Sequence, residues 1–202
     1  MMDKQELRQY IDKYRKCLLE SVEWWQKFSP DAKHGGFYNY LGRDGKVLFT
    51  DKNVRQQGRD VLLFARAYNE IEPRTEWLDL ALRGIAFIED HCFDERDGRT
   101  YYEVTEDGRP VRKRRYVVTE HYTVMAYIEL YKATKDPAWK VKAERLYKTI
   151  MMYYYNPEQN LRSEERFSRN AETDLVCRLL LETKNLFVIW VNFLMTAWTN
   201  AV

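Results

Sequence analysis

The sequence predicts an all-helical fold built in layers, with successive helices paired as antiparallel hairpins around an inner set. Apolar residues recur at helical spacing over long segments, and only briefly in the alternating manner of strands. One segment is apolar nearly all round while its neighbours are one-sided, which is how an inner helix differs from the outer helices that cover it. Pro30, Pro73 and Pro157 fall between the segments and Pro137 at the start of one, none in a helix interior.

The chain has 202 residues, the length of one ordinary domain with enough apolar content for a core. Thirty-three basic residues against 31 acidic ones leave a net charge of +2, so no nucleic-acid footprint or polybasic membrane patch is expected. Aromatic residues make up 15% of the chain, and helix packing is their default use. Cys17, Cys92 and Cys177 are odd in number and widely spaced, which reads as three buried thiols in a reduced, cytoplasmic protein. The N-terminus MMDKQELRQY lacks the apolar run of a signal peptide.

Asp3 and Glu6 have the spacing of a capping box, and Leu7, Tyr10, Ile11, Tyr14, Leu18, Trp25 and Phe28 extend a first helix to Ser29-Pro30. HGGFYNYLGRDGKVLFT then predicts a short hairpin or extended loop with the turn dipeptide Asp44-Gly45. A second helix is expected over 53–70, stopping before Pro73, and a third over 75–92 with Trp77, Leu80, Ala81, Gly84, Ile85 and Ile88 on one stripe. A second hairpin is expected at Asp107-Gly108, so a helix-hairpin-helix plan occurs twice.

The helix over 117–134 is the one that is apolar nearly all round. A fifth begins with Asp136 as cap and Pro137 in its first turn, and turns Trp139, Ala143, Leu146, Tyr147 and Ile150 inward as far as Tyr155. AETDLVCRLLLETKNL predicts a sixth helix, making three pairs. The apolar run from Leu186 to Ala201 is interrupted by Asn192 and Asn200 and falls short of the ~20 residues that span a bilayer, so a core helix is expected instead of an anchor. No period of a helical solenoid is visible.

In KNVRQQGRDVLLFARAYNE, Arg55, Arg59, Leu62 and Arg66 line a strip beside the face of Val54, Gly58, Val61, Ala65 and Tyr68. Glycine inside a helix costs ~1 kcal/mol relative to alanine, so Gly58 implies a close neighbour. Arg59 either pairs with Asp60, Glu70 or a carboxylate of another helix, or serves as an anion or oxyanion clamp. Glu120 follows the basic run RKRRY, suits the start of a helix and is expected to pair with Arg114 or Arg115. His121 has neither His34 nor His91 at metal-ligand spacing, so no metal site is expected. No Walker loop, GxGxxG turn, GxSxG elbow or Cys-His signature is present, and no cofactor is expected.

Four pieces taken in order, HGGFYNYLGRDG, KNVRQQGRDVLLFARAYN, WLDLALRGIAFIEDH and DGRTYYEVTEDGRPVRKRRYVVTEHY, resemble the N-acylglucosamine 2-epimerase family, which includes renin-binding protein and the cellobiose 2-epimerases. The strongest are Lys52-x-x-x-x-Gln57-Gly58-Arg59 and Arg114-Arg115-Tyr116-x-x-Thr119-Glu120, and the resemblance covers about residues 24–157. It implies an (α/α)6 barrel, of which six helices with short β-hairpins in the loops are half. Residues 1–202 would form one barrel-type domain with a poorly matched tail over 158–202.

The resemblance also implies a small sugar as partner, with Arg59 as catalytic residue and Tyr116 and Glu120 in the pocket. Family members invert C2 of a reducing sugar. Removing the C2 proton gives an enediolate, which a fixed guanidinium near the carbonyl oxygen stabilises without losing its charge. By the resemblance two histidines exchange the proton, and they lie in the second half of a chain about twice this length. Arg55 stands where the family usually has tryptophan. An open half-barrel exposes inner faces and predicts self-association, with a homodimer as the expected form. The rival readings are an (α/α)6 glycoside hydrolase using Glu103 and Glu120, and a non-catalytic sugar- or protein-binding module.

Overall fold

The computed structural model describes residues 3–156 and 161–162. Within them lie five helices, α1 (Lys4–Phe28), α2 (Val54–Glu70), α3 (Thr75–His91), α4 (Val117–Thr134) and α5 (Pro137–Tyr154). The connections carry short strands: β1 (Tyr40–Leu41), β2 (Val47–Phe49), β3 (Lys52–Asn53), β4 (Phe93–Asp94), β5 (Arg99–Thr100), β6 (Glu103–Val104), β7 (Pro110–Arg112), β8 (Tyr155–Asn156) and β9 (Leu161–Arg162). The chain divides into two compact units between Tyr154 and Tyr155. In the second, β8 and β9 pair antiparallel, with Tyr155 opposite Arg162. The sixth helix, the apolar tail and Cys177 lie outside the described residues.

In the first unit α2 packs against both α3 and α4, and α4 also packs against α5. The two inner helices run parallel. Gly58, in the second turn of α2, faces Tyr122 and Thr123 of α4, while Asn69 near the other end of α2 donates to Glu129 Oε2 at 2.9 Å. A Cβ on Gly58 would stand 3.0 Å from Tyr122 Cβ and 3.2 Å from Thr123 N, so glycine is what lets the helices approach. Val61, Phe64, Ala65, Trp77, Ile85, Ile88, Val124 and Leu130 fill the core between them, each fully buried or nearly so. Burial of such side chains contributes about 1.5–3 kcal/mol apiece for the larger ones.

The helix boundaries follow the sequence signals closely. Asp136 Oδ1 accepts from the Ala138 amide ahead of α5, whose Ala143, Leu146 and Ile150 are buried as their spacing predicts. Asn53 caps α2 by accepting from the Gln56 amide.

The first helix departs from expectation. Only Val22 of α1 is buried, and Leu7, Tyr10, Ile11 and Tyr14 are exposed. Asp3 stands at the N-cap with extended backbone but makes no side-chain cap bond, so the capping box does not form. Asp3, Glu6 and the surrounding turn are exposed, where water can satisfy the helix amides. Cys17 is exposed on this helix, contrary to its expected burial, whereas Cys92 is buried.

The two predicted hairpins form in separate sheets. β1 pairs with β2 around the Asp44-Gly45 turn, and β6 pairs with β7 around Asp107-Gly108. β3 also pairs with β6, setting Lys52 opposite Val104 and Asn53 opposite Glu103, to make one three-stranded sheet. A further hairpin, β4 with β5, closes beside Gly98, whose φ is 67°. Both inner helices therefore start from the same end of the unit. Among the described residues no helix is long and apolar enough to cross a membrane.

Candidate functional site

Two side chains of the Lys52–Arg59 motif have structural work at the start of α2. Lys52 is completely buried, and its Nζ donates to Asp31 Oδ2 at 2.7 Å and to the carbonyls of Gly35 and Glu106 at 2.7 and 2.8 Å. It also lies 4.3 Å from the centre of the Phe87 ring. A buried ammonium with every proton engaged in this way pins the segment before β1 and the β6–β7 turn to α3. Gln57 accepts from the Phe37 amide and donates to the Phe37 carbonyl and to Asn39 Oδ1, clamping the segment before β1 onto the helix.

Asp60 continues this polar layer. Its carboxylate accepts from Gln56 Nε2 at 3.0 Å and Asn39 Nδ2 at 3.1 Å, and is buried. Burial pushes its pKa up to about 7, against the opposing pull of Gln56, Arg59 and Asn39. Glu70, the other acid expected beside Arg59, pairs with Arg66 at 3.3 Å.

Arg59 is half-buried, its guanidinium 5.4 Å from the centre of the Tyr122 ring. The same crossing that requires Gly58 brings Tyr122 to it: the two residues are neighbours in α2, and both face the second turn of α4. The arginine is thus fixed by packing between the two inner helices, near their N-terminal ends.

Tyr116 is the N-cap residue of α4. Its ring packs at 5.1 Å on Tyr102, and the Arg114 guanidinium lies 4.9 Å above it. Tyr102 in turn accepts from the Val54 amide and donates to the Arg112 carbonyl, so Tyr116 is tied through it to the start of α2.

Glu120 is fully buried and takes a partner other than the expected Arg114 or Arg115. Arg99 Nε, on β5, stands 3.3 Å from Glu120 Oε1. Arg115 is drawn away by the β4–β5 hairpin, where it reaches Asp94 at 2.6 Å and Asp97 at 3.1 Å. Arg99 also donates to the Tyr154 hydroxyl and lies over the Tyr153 and Tyr154 rings. Burial raises the Glu120 pKa to about 7, with Arg99 and the Thr100 backbone opposing. Two helical steps of 100° put Glu120 and Tyr122 on opposite sides of α4, so the Glu120 carboxylate is directed away from the Arg59 side.

Arg99, Tyr122 and Asn39 were not singled out by the sequence. The Asp97-Gly98 dipeptide marks the hairpin that delivers Arg99, but pairing across 21 residues leaves no local pattern. Glu103, the other carboxylate of the hydrolase reading, is buried on β6 and paired with Arg112 at 3.2 Å.

The model of the N-acylglucosamine 2-epimerase (GlcNAc 2-epimerase) family matches residues 35–178. The chain belongs to the N-acylglucosamine 2-epimerase family. It is 37% identical over 125 residues to the N-acylglucosamine 2-epimerase of Mus musculus, covering 60% of this chain and 30% of that protein. It is 24% identical over 140 residues to the cellobiose 2-epimerase of Bacteroides fragilis. The chain therefore spans about a third of the length of these relatives, 30% and 36% respectively.

Among solved structures, the cellobiose 2-epimerase from Bacillus thermoamylovorans superposes with a TM-score of 0.69 at 25% identity, covering 77% of this chain and 40% of that one. A D-mannose isomerase shares the fold, with a TM-score of 0.67 at 16% identity over 74% of this chain and 38% of that one. The five helices and short strands are accordingly part of an (α/α)6 barrel, with α2 and α4 in its inner ring and α3 and α5 outside them.

Proposed function

We propose that the chain belongs to a sugar 2-epimerase that interconverts N-acylglucosamine and N-acylmannosamine, or a related reducing sugar, at C2 through an enediolate. The observation that carries this reading is Arg59, a cation set against Tyr122 by the Gly58 crossing within a chain of the epimerase family. A guanidinium held there by helix packing supplies the permanent positive charge that an enediolate oxygen requires. Tyr116 offers a ring at the start of α4 for the sugar, and Glu120 acts indirectly, by holding Arg99. A cytoplasmic location and self-association of the exposed helix faces belong to the same reading.

Epimerisation needs a proton acceptor and donor on opposite faces of C2. The chain has three histidines: His121 holds the Val117 carbonyl with Nδ1 at 3.0 Å, His91 packs on Phe87, and His34 lies in the turn before β1, where its amide donates to Asp31. The expectation is sugar binding without proton exchange. In D2O, N-acetylmannosamine should bind this chain and gain no deuterium at C2, and Arg59→Gln should weaken binding about tenfold. Binding indifferent to that substitution would overturn the role of Arg59, and robust exchange would overturn the expected inactivity.

The hydrolase reading has less support, since Glu103 and Glu120 are each engaged by an arginine. Release of sugar from a β-glycoside, abolished by Glu120→Gln, would favour it over epimerisation.

A further inference from the structure

The cations at the start of the inner helices are not all accounted for by folding. Arg99, Arg109, Arg112 and Arg115 are neutralised by Glu120, Asp107, Glu103 and the Asp94–Asp97 pair respectively. Asp60 is held by two amides and buried. Arg55, Lys113 and Arg114 are exposed, and among the described residues no carboxylate lies within 4.0 Å of any of them, Asp51 on the nearby β2–β3 connection included.

Two of the three are also placed. Arg55 stands one turn before Arg59, so the two guanidinium groups leave α2 on the same side. Arg114 is laid over the Tyr116 ring at 4.9 Å. Tyr116 packs on Tyr102, whose carbonyl accepts from the amide of Val54, the residue before Arg55. Arg114 therefore lies on the Tyr102–Tyr116 pair, and Arg55 directly follows the residue bonded to that pair's backbone. Exposed arginines are ordinarily just hydrated, but a guanidinium held against a ring is already oriented and keeps its forked donors free for an oxyanion.

We propose that the sugar this site takes carries an anionic group, a phosphate ester or a carboxylate, and that Arg55 and Arg114 hold it. This rests on the reading of Arg59 as the group that meets the reacting end of a sugar. Arg59 would face the carbonyl end while the paired arginines face the charged substituent, with the two tyrosine rings against the body of the sugar. Lys113 adds long-range attraction without a fixed geometry.

The test measures dissociation constants of the full chain by isothermal titration for N-acetylmannosamine, N-acetylmannosamine 6-phosphate, glucuronate and inorganic phosphate, at low and at physiological salt. At low salt the 6-phosphate or the glucuronate should bind about tenfold tighter than the neutral sugar, with the gap narrowing as salt screens the pair. Whichever of the two is favoured identifies the group as phosphate or carboxylate.

The double variant Arg55→Gln/Arg114→Gln should bring the ratio of anionic to neutral affinity to about one, whereas Arg83→Gln, exposed on α3, should leave it unchanged. Equal affinities in the parent chain, a ratio that survives the double variant, or inorganic phosphate binding as tightly as the sugar phosphate would overturn the proposal. Neutral sugar bound in an Arg59-dependent manner with no anionic preference would overturn this inference and leave the epimerase reading standing. Absence of binding by any sugar would overturn both.

Discussion

Replacing Gly58 by alanine sets two effects of known size against each other. Alanine in a helix interior gains about 1 kcal/mol over glycine. The added methyl would sit 3.0 Å from Tyr122 Cβ and 3.2 Å from Thr123 N and Tyr122 C. Those distances are short of the ~3.5–4.0 Å at which carbon atoms rest, and the atoms met are backbone or Cβ, which no rotamer change can move. The inner helices must separate by a few tenths of an ångström, and overpacking of this kind costs about 1–3 kcal/mol. The net expectation is a loss of about 1 kcal/mol, or roughly 2–4 °C in Tm for a chain of this size, measured by urea and thermal unfolding.

Gly84→Ala is the internal calibration. Its methyl would stand 2.3 Å from Phe37 Cε2 and 2.8 Å from Val61 Cγ2, both buried, so the loss should reach about 3 kcal/mol. Gly98→Ala meets nothing within 4 Å and should lose only the ~1–2 kcal/mol of a left-handed backbone. A Gly58→Ala protein more stable than its parent would show that helix propensity is unopposed there. The close crossing that positions Arg59 against Tyr122 would then be wrong.

Lys52→Met should destabilise by about 3–5 kcal/mol in denaturant unfolding by leaving Asp31 buried without its cation, and Lys52→Met/Asp31→Asn should recover part of that loss. The Asp60 carboxyl, about 7 when folded, keeps its proton where the unfolded chain, near ~3.9, has lost it, so its contribution is fully present below about pH 4 and falls away as pH rises to about 7. Unfolding at pH 4.5 and 7.5 should show Asp60→Asn gaining several kcal/mol on the parent at the higher pH, and parallel profiles would sink the assignment. Native-state alkylation followed by mass spectrometry should label Cys17 but spare Cys92, whose thiol is buried and raised in pKa by that burial.

What the sequence made legible was local, and what it hid was long-range and polar. Helix limits came through because caps and prolines act within a few residues: Asn53 bonds three residues on, and Asp136 two. Gly58 announced a close neighbour but not which one, since Tyr122 lies more than sixty residues later. The three-stranded sheet was invisible because strands of two or three residues are too short to show an alternating pattern. Likewise the order of charges misled: Glu120 follows RKRRY, yet its partner is Arg99, because the β4–β5 hairpin carries two aspartates that claim Arg115 first.

That exchange of partners has a functional side. With Arg115 and Arg99 both neutralised from below, Arg114 is the arginine of the run that is left to stack on Tyr116, and Arg55 is left with no acid of its own on α2. The folding demands of the hairpins thus determine which cations stay available beside Arg59. Removing the cation of one hairpin pair tests this coupling: Arg115→Gln should leave Asp94 with Arg96 alone and take one arginine from Asp97, lowering stability, while leaving the Arg114–Tyr116 stack and any anionic preference in place. A loss of that preference in Arg115→Gln, at intact fold, would mean that the anion is held by the hairpin cluster and not by Arg55 and Arg114.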